Sequence, residues 1–316
     1  MKIINDACTT LKFQKNSLSM AITVGKFEAM HLGHSRLIQY TVEYACSHGL
    51  ASAVLSFVPH PASVLSDGAY KPLFTNKETA LLLGTRGIDY WIPYPFDQNF
   101  SEKSPRDFCL LIKNKLGCRT LLVGEGFRFG HNREGTPEML NSLGQDLDMD
   151  IIAVPCLRFE DSLDGKKIST SQIRAHLAKG QMQRANKLLG KPFLILGTVQ
   201  KGKRLGHTIG FPTANIYPDS HKFLPINGVY SSKIFIGDLK KTGVTNIGVN
   251  PTVSEYGSVP KVEVHIFDFN DDIYGKEILV ELYDFIRHER VFSGIKELKQ
   301  QIALDCKEAR RVLAKV

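Results

Sequence analysis

Two hydrophobic patterns divide the chain of 316 residues. In the first half, short apolar runs alternate with segments whose apolar residues recur at helical spacing. The apolar runs predict strands at residues 20–24, 51–57, 88–92, 120–123 and 150–154. Helices are expected at residues 35–46, 76–87 and 105–116 and from residue 137, each joining two predicted strands. Such alternation is typical of an α/β domain in which helices cover both faces of a parallel sheet.

The pattern changes near Lys187, where strands begin to alternate apolar and polar residues and turns become rich in Gly, Asn and Pro. Strands of this kind are predicted at residues 230–236, 262–267 and 278–285, with a hairpin signal at residues 270–272. An amphipathic helix is predicted over residues 295–313. We therefore expect an antiparallel β-barrel followed by one C-terminal helix.

These patterns predict two domains, residues 1–186 and 187–316, and the chain is long enough for each to bury its own core. A helical segment at residues 171–189 is expected to carry the chain between them. In parallel sheets like the one predicted for residues 1–186, ligands bind at the carboxyl ends of the strands. The turns at residues 25–34 and 124–130 both lie at such ends.

The chain is basic, with 40 Lys and Arg against 32 Asp and Glu and a net charge of +8. A positive balance suits anionic ligands, which include both nucleotides and nucleic acids. The basic residues are scattered, and no stretch interleaves them with aromatic residues as a strand-binding surface would. We expect no nucleic-acid partner; a basic nucleic-acid-binding protein is the alternative, and it would show salt-sensitive binding.

The six cysteines are widely separated and include no Cys-x-x-Cys pair. This spacing argues against a zinc site and against a disulfide scaffold. The first residues lack the apolar stretch of a signal peptide, and no run approaches membrane-spanning length. We therefore expect a cytoplasmic protein that does not act at a membrane.

The segment between the first predicted strand and helix contains His31 and His34, with Gly25 and Gly33 beside them. A strand, a glycine-containing turn and a helix N-terminus together form a phosphate-binding arrangement, because backbone N–H groups and the helix dipole point at the anion. Two imidazoles three residues apart add further donors. A helix start with two exposed histidines explains the same pattern and stays open.

A second glycine-rich segment contains Gly202, Lys203, Gly206 and Gly210, and residues 212–215 follow it. Backbone N–H groups and basic side chains in such a loop can wrap a polyphosphate. It lacks the ending of a Walker A sequence, and a basic surface loop is the simpler explanation. Further along, the alternation of residues 262–266 places Glu263 on the opposite face of its strand from the neighbouring valines.

Residues 31–34 resemble the HxGH signature of the nucleotidyltransferase superfamily, and residues 210–215 resemble the GFPTAN signature of riboflavin kinases. In this order, the two motifs are similar to those of bacterial bifunctional riboflavin kinase/FAD synthetases. The resemblance covers nearly the whole chain. It implies a Rossmann-like nucleotidyltransferase domain followed by a kinase barrel, with riboflavin, FMN, FAD and ATP as ligands and Mg²⁺ as the cofactor.

In the first domain, the resemblance implies that His31 and His34 contact the ATP phosphates and that Gly25 and Gly33 allow a close approach. Residues 168–174 resemble a family segment that binds pyrophosphate, through Ser169, Thr170, Ser171 and Arg174. Read without the family, Ser169 to Ser171 form a helix N-cap. The resemblance also implies that His60, in a Pro-His-Pro turn, lies near the flavin phosphate and that Phe127 stacks on the flavin.

In the second domain, the resemblance implies that Thr213 and Asn215 hold Mg²⁺ and that Glu263 takes the proton from the riboflavin 5′-hydroxyl. Without the family, a proline turn with a capping Asn and an exposed strand glutamate would explain these residues. Arg287 and Phe292 lie in a stretch that resembles the family's flavin-binding segment.

The first domain departs from the family pattern at several positions. Glu28 and Ala29 stand where the family usually has Asp and Gly, Gly126 replaces a polar residue, and Gln172 replaces a common arginine. These departures suggest an adenylyltransferase that is weaker or differently tuned. A riboflavin kinase that has lost adenylylation is the alternative, and the oligomeric state stays open.

Overall fold

The computed structural model describes residues 1–4, 19–65, 70–157, 167–202, 206, 209–249 and 260–316. The chain forms two compact units: Met1–Pro72 with Thr79–Ile168, and Leu73–Glu78 with Ser169–Val316. The predicted domains follow the change in hydrophobic pattern, whereas these units follow packing. The two divisions differ at residues 73–78 and 169–186.

The first unit contains a six-stranded parallel sheet of order β1-β4-β3-β2-β5-β6. Its strands are β1 (Lys2–Ile3), β2 (Met20–Val24), β3 (Ala51–Val58), β4 (Tyr90–Pro95), β5 (Cys118–Gly124) and β6 (Asp150–Val154). The helices along this part of the chain are α1 (Leu32–Ser47), α2 (Pro61–Leu65), α3 (Asn76–Gly84), α4 (Gln98–Ser101), α5 (Pro105–Leu116) and α6 (Pro137–Asp146). The predicted α/β architecture is confirmed.

The apolar runs of the sequence form the centre of this sheet. All five residues of β2 are buried, and Ile22 packs in one core cluster with Leu55 of β3 and Leu121 of β5. The predicted start of α5 is also confirmed, since the Ser104 side chain accepts a hydrogen bond from the Asp107 N–H. Because β2 is central and buried, the turn that follows it is held on a rigid base.

The second unit contains a closed antiparallel barrel of order β10-β11-β8-β7-β12-β9. Its strands are β7 (Phe193–Gln200), β8 (Ala214–Ile216), β9 (Gly228–Ile236), β10 (Leu239–Val249), β11 (Pro260–Ile266) and β12 (Glu277–Arg287). The predicted barrel is confirmed. The predicted hairpin at residues 270–272 is wrong, because β11 and β12 are not neighbours in the barrel.

The described residues of the second unit include the helices α7 (Thr170–Ala178), α8 (Met182–Leu189) and α9 (Ile295–Leu313). The helical segment predicted at residues 171–189 is broken at Gly180, whose φ of +68° ends α7. The predicted C-terminal helix α9 is confirmed, with Ala309 and Leu313 buried. Within the described ranges, every helix is too short or too polar to cross a membrane.

Candidate functional site

In the first unit, His31 is the N-cap of α1 and lies directly after the turn that leaves β2. Its Nδ1 accepts a hydrogen bond from the His34 N–H at 3.2 Å. The two imidazole rings stack at 3.8 Å with an angle of 10° between their planes. Since Nδ1 accepts, the neutral ring of His31 carries its proton on Nε2, the form that donates to a phosphate oxygen. The structure therefore brings the two predicted histidines together at a helix N-terminus.

Gly33 leaves room for the His31 ring. A Cβ at Gly33 would lie 3.1 Å from Cε1 of that ring, and one at Gly25 would lie 3.1 Å from the ring of Phe27. Both distances are tighter than ordinary side-chain contacts. The two glycines thus make room for aromatic rings that pack against the turn.

The turn between β2 and α1 contains two buried residues in the left-handed region, Phe27 with φ +45° and Met30 with φ +46°. Such backbone is held only where the surroundings fix it. Ala29 is buried and has a negative φ. Its methyl group therefore adds no left-handed strain.

Glu28, in the same turn, is 6% exposed. It contacts His60, which was predicted to lie on the flavin side, and Tyr70. Its Oε2 lies 3.5 Å from Nε2 of His60 and accepts a hydrogen bond from the Tyr70 hydroxyl. The rings of His60 and Tyr70 stack at 4.6 Å. Sequence reasoning missed Tyr70, because it lies in no motif and only the fold brings it to Glu28.

The other predicted flavin residue of the first unit, Phe127, lies in the turn after β5 and is half-buried. Its ring stacks on Phe129 at 5.5 Å with an angle of 12°. At the exposed Gly126 beside it, a Cβ would lie 3.6 Å from Nζ of Lys167. The site thus has room for a polar side chain, and an ammonium group faces it.

Residues 169–174 belong to the second unit. The capping interpretation of Ser169 is confirmed, because its Oγ accepts from the Gln172 N–H at 3.4 Å. The Gln172 side chain accepts in return from the Ser169 N–H at 3.1 Å and completes a capping box. Thr170 and Ser171 form the first turn of α7, and the Arg174 guanidinium lies 4.8 Å from the centre of the Phe223 ring.

A cavity of about 230 Å³ opens in the second unit between the barrel and α9. It is lined by Gly206, Ile209, Phe211, Thr213, Val229, Val244, Asn246, Glu263, His265, Arg287, Glu289, Arg290, Phe292, Leu298, Ile302 and Asp305. The structure therefore brings together five residues predicted from separate segments of the sequence. Lys203 lies outside the described residues.

Asn215 lies beside this cavity, as the residue paired with Glu263 across β8 and β11. It is 5% exposed, and its Oδ1 has no hydrogen-bond partner among the described residues. A Cβ at Gly202 would lie 2.3 Å from Nδ2 of Asn215, and one at Gly206 would lie 3.3 Å from Oγ1 of Thr213. The glycines of the basic loop therefore pack directly on the two predicted metal-binding side chains.

Glu263 is partly exposed, and its Oε1 accepts a hydrogen bond from Nζ of Lys261 at 2.5 Å. His265, two residues further along β11, has its Nδ1 2.8 Å from the carbonyl oxygen of Pro212. Because a carbonyl only accepts, His265 carries its proton on Nδ1. This bond ties β11 to the segment that bears Thr213 and Asn215.

Arg287 is held mainly by Asp305 of α9. Its Nε and Nη2 donate to the Asp305 carboxylate at 2.8 to 3.1 Å, and its Nη1 donates to the carbonyl of His288. The ring of Phe292 lies 5.6 Å from the Arg287 guanidinium and 4.8 Å from that of Arg290. Arg287 thus fastens α9 to the barrel at the edge of the cavity.

Sequence reasoning missed Asp305, although a signal was present. Leu298, Ile302, Asp305 and Ala309 recur at the spacing of one helix face. A carboxylate within an apolar stripe needs a buried partner, since an unpaired charge is costly to bury. Asp305 is only 3% exposed, and Arg287 is that partner.

Two family models match the chain: FAD synthetase over residues 13–172 and riboflavin kinase over residues 189–313. The chain is 37% identical to the bifunctional riboflavin kinase/FMN adenylyltransferase of Bacillus subtilis (strain 168), covering 92% of this chain and 91% of that protein. The corresponding protein of Escherichia coli (strain K12) has the same identity and coverage. The chain belongs to this bifunctional family.

A solved structure described as a macrolide-efflux protein from Streptococcus pneumoniae also matches, with a TM-score of 0.83 and 28% sequence identity. It covers 98% of this chain, and this chain covers 98% of it. The curated relatives are more similar in sequence, and the function proposed below follows them.

The residues beside the barrel cavity fit a divalent cation of the kind that ATP-using enzymes bind. Asn215 offers a buried oxygen without a partner among the described residues, and Thr213 offers a hydroxyl. Within the described part of the chain, no group of three or more His, Cys, Asp or Glu could hold a metal. A few hard oxygen ligands suit Mg²⁺, which keeps several waters and binds substrate phosphates.

Proposed function

We propose that this member of the bifunctional family phosphorylates riboflavin to FMN with ATP and then adenylylates FMN to FAD with release of pyrophosphate. The observation that carries the proposal is the match of both family models within one chain, together with 37% identity to curated bifunctional enzymes. We assign adenylylation to residues 1–186 and phosphorylation to residues 187–316. Both reactions use cytoplasmic ATP.

For the kinase, we assign the general base to Glu263. Its carboxylate takes the proton from the riboflavin 5′-hydroxyl while that oxygen attacks the γ-phosphate of ATP. The position of Glu263 on a barrel strand, lining the cavity beside Thr213, supports this role. Most of the acceleration comes from aligning the hydroxyl with the phosphate, which rigid strands favour.

Thr213 and Asn215 are the residues proposed to hold Mg²⁺. The ion neutralises charge on the polyphosphate when it is bound. Gly202, Lys203, Gly206 and Gly210 wrap the same polyphosphate with N–H groups and a cationic side chain. Phe292 and the Arg287–Asp305 pair shape the flavin end of the cavity.

For the adenylyltransferase, we propose that His31 and His34 donate hydrogen bonds to the ATP phosphates. The attack of an FMN phosphate oxygen on the α-phosphate builds charge there, and donors at a helix N-terminus stabilise it. Gly25 and Gly33 allow the approach.

The leaving pyrophosphate is bound by Ser169, Thr170, Ser171 and Arg174. On the flavin side, Phe127 stacks on the flavin, and the turn of His60 borders the flavin phosphate.

Chromatography of flavins tests this proposal. Purified protein is incubated with ATP and Mg²⁺, once with riboflavin and once with FMN. We expect FMN and FAD from riboflavin, and FAD from FMN. FMN as the sole product, even under reducing conditions, would contradict the adenylyltransferase assignment, and no product from riboflavin would contradict the kinase assignment.

A further inference from the structure

Glu28 is a buried carboxylate that joins three loops of the first unit. It lies in the turn after β2, while His60 lies after β3 and Tyr70 lies beyond α2. Its Oε2 faces Nε2 of His60 at 3.5 Å and accepts a hydrogen bond from the Tyr70 hydroxyl. A carboxylate that is 6% exposed depends on such partners, because burial without them is costly.

The contacts of His60 fix its tautomer. The N–H of Ala62 donates to Nδ1 of His60 at 3.1 Å, so Nδ1 is an acceptor. The proton of the neutral ring is therefore on Nε2, the nitrogen that faces the Glu28 carboxylate. Both ring nitrogens are directed at protein groups, and the ring face stacks on Tyr70 at 4.6 Å. The imidazole therefore lies against both Glu28 and Tyr70.

Glu28 lies where the backbone needs support. Phe27 and Met30 on either side of it have left-handed φ angles of +45° and +46°. Such backbone persists only where its surroundings fix the chain. Glu28 is three residues before His31, so a shift of its carboxylate moves the start of α1 and the stacked pair of His31 and His34.

We propose that Glu28 is a positioning residue for adenylyl transfer, held by His60 and Tyr70 so that the turn presents His31 and His34 in one geometry. The inference rests on the proposed adenylyltransferase activity. The glutamate side chain is long enough for its carboxylate to contact both His60 and Tyr70. Tyr70 and Glu28 therefore act as a pair.

The consequence is that shortening the Glu28 side chain harms this enzyme. In Glu28→Asp, the carboxylate withdraws from His60 and Tyr70, and the turn loses its fixed geometry. We expect the kcat for FAD formation from FMN to fall by about 10- to 100-fold, as for small misplacements of catalytic groups. The loss in kcat exceeds any change in the KM for ATP.

The experiment uses the full chain. Glu28→Asp, Tyr70→Phe and the double variant are assayed for FAD formation, with Glu43→Asp as the matched control because Glu43 is exposed on α1. Riboflavin phosphorylation in the same preparations reports that the second unit is folded, and a urea unfolding curve like that of the parent chain reports that the first unit is folded. Tyr70→Phe lowers the kcat in the parent chain and has a smaller effect in the Glu28→Asp background, because the two residues share one contact.

An unchanged or higher rate of FAD formation in Glu28→Asp, with phosphorylation intact, would overturn the proposal. Equal effects of Tyr70→Phe in both backgrounds would also overturn it. NMR of the His60 ring nitrogens, identified with His60→Asn, is expected to find the proton on Nε2, and a proton on Nδ1 would contradict the geometry. This measurement does not depend on activity. Failure of the unmodified chain to make FAD would instead contradict the proposed function.

Discussion

Asn215 and Glu263 are directly paired across strands β8 and β11 of the barrel. Side chains paired in this way lie about 4.5–5.5 Å apart at their Cβ atoms. The proposed metal ligand and the proposed base are therefore held next to each other by backbone hydrogen bonds rather than by loops. A rigid frame of this kind suits a reaction whose rate comes mainly from alignment.

Glu263→Gln tests the base. The amide keeps the size of the side chain but cannot accept the hydroxyl proton, so FMN formation should fall by about 10²- to 10⁴-fold. FAD formation from FMN should be unchanged, because we assign it to residues 1–186. Rates are measured by flavin chromatography, and Glu277→Gln, at the exposed first residue of β12, is the matched control. Near-normal kinase turnover in Glu263→Gln would remove the base assignment.

Asn215→Ala tests the metal site. Removing the buried Oδ1 takes away one oxygen ligand, so the Mg²⁺ concentration needed for half-maximal FMN formation should rise by about tenfold or more. Asn141→Ala, at an exposed position of α6, serves as the control. A Mg²⁺ dependence identical to that of the parent chain would show that Asn215 does not hold the ion.

Lys222→Met tests a buried ion pair in the second unit. Nζ of Lys222 lies 2.7 Å from Oε2 of Glu78, both side chains are 0% exposed, and Oε1 of Glu78 accepts from the Leu196 N–H. Removing one partner leaves an uncompensated buried charge, at a cost of about 3–5 kcal/mol. The urea midpoint for loss of kinase activity should therefore fall.

The double variant Lys222→Met with Glu78→Gln separates the charge effect from lost packing. It should cost less than the sum of the two single changes, because no unpaired charge remains. Additive losses would mean that the pair contributes little beyond its packing.

Gly126→Asp tests whether a departure from the family pattern matters. A side chain at this position has room and faces Nζ of Lys167 at 3.6 Å, so the fold should tolerate it. If the missing polar group weakens FMN binding, the kcat/KM for FMN in FAD formation should rise. Gly126→Asn, which adds the same shape without charge, is the control. An unchanged kcat/KM in both would mean that the loss of this residue has no effect.

The elements that were predicted correctly are those with a local signal. The buried run of β2 and the Ser104-Pro105 start of α5 are examples, because each depends on neighbouring residues alone. The hairpin expected at residues 270–272 was wrong because turn chemistry is local, whereas the barrel pairs β11 with β8 and β12 with β7. Strand β10 was missed because its lysines and glycines interrupt the apolar alternation.

The residues of the candidate site likewise divide into those with a local sequence signal and those that only the fold brings together. His31, Thr213 and Glu263 lie in motifs and could be named from the sequence. The Glu28–Tyr70 contact joins residues 42 positions apart, and a single sequence taken by itself carries no sign of it. Two of the departures are also explained only by the fold: Ala29 has a negative φ, and Gln172 completes a capping box. Neither gives a physical reason for residues 1–186 to lack adenylylation.

The most direct test of the two-step account follows the phosphates of ATP into flavin. The full chain is incubated with riboflavin, Mg²⁺ and ATP labelled either at the γ-phosphate or at the α-phosphate. We expect the γ-label in FMN and FAD, and the α-label in FAD but not in FMN. The α-label absent from every flavin, or the γ-label absent from FMN, would contradict the account.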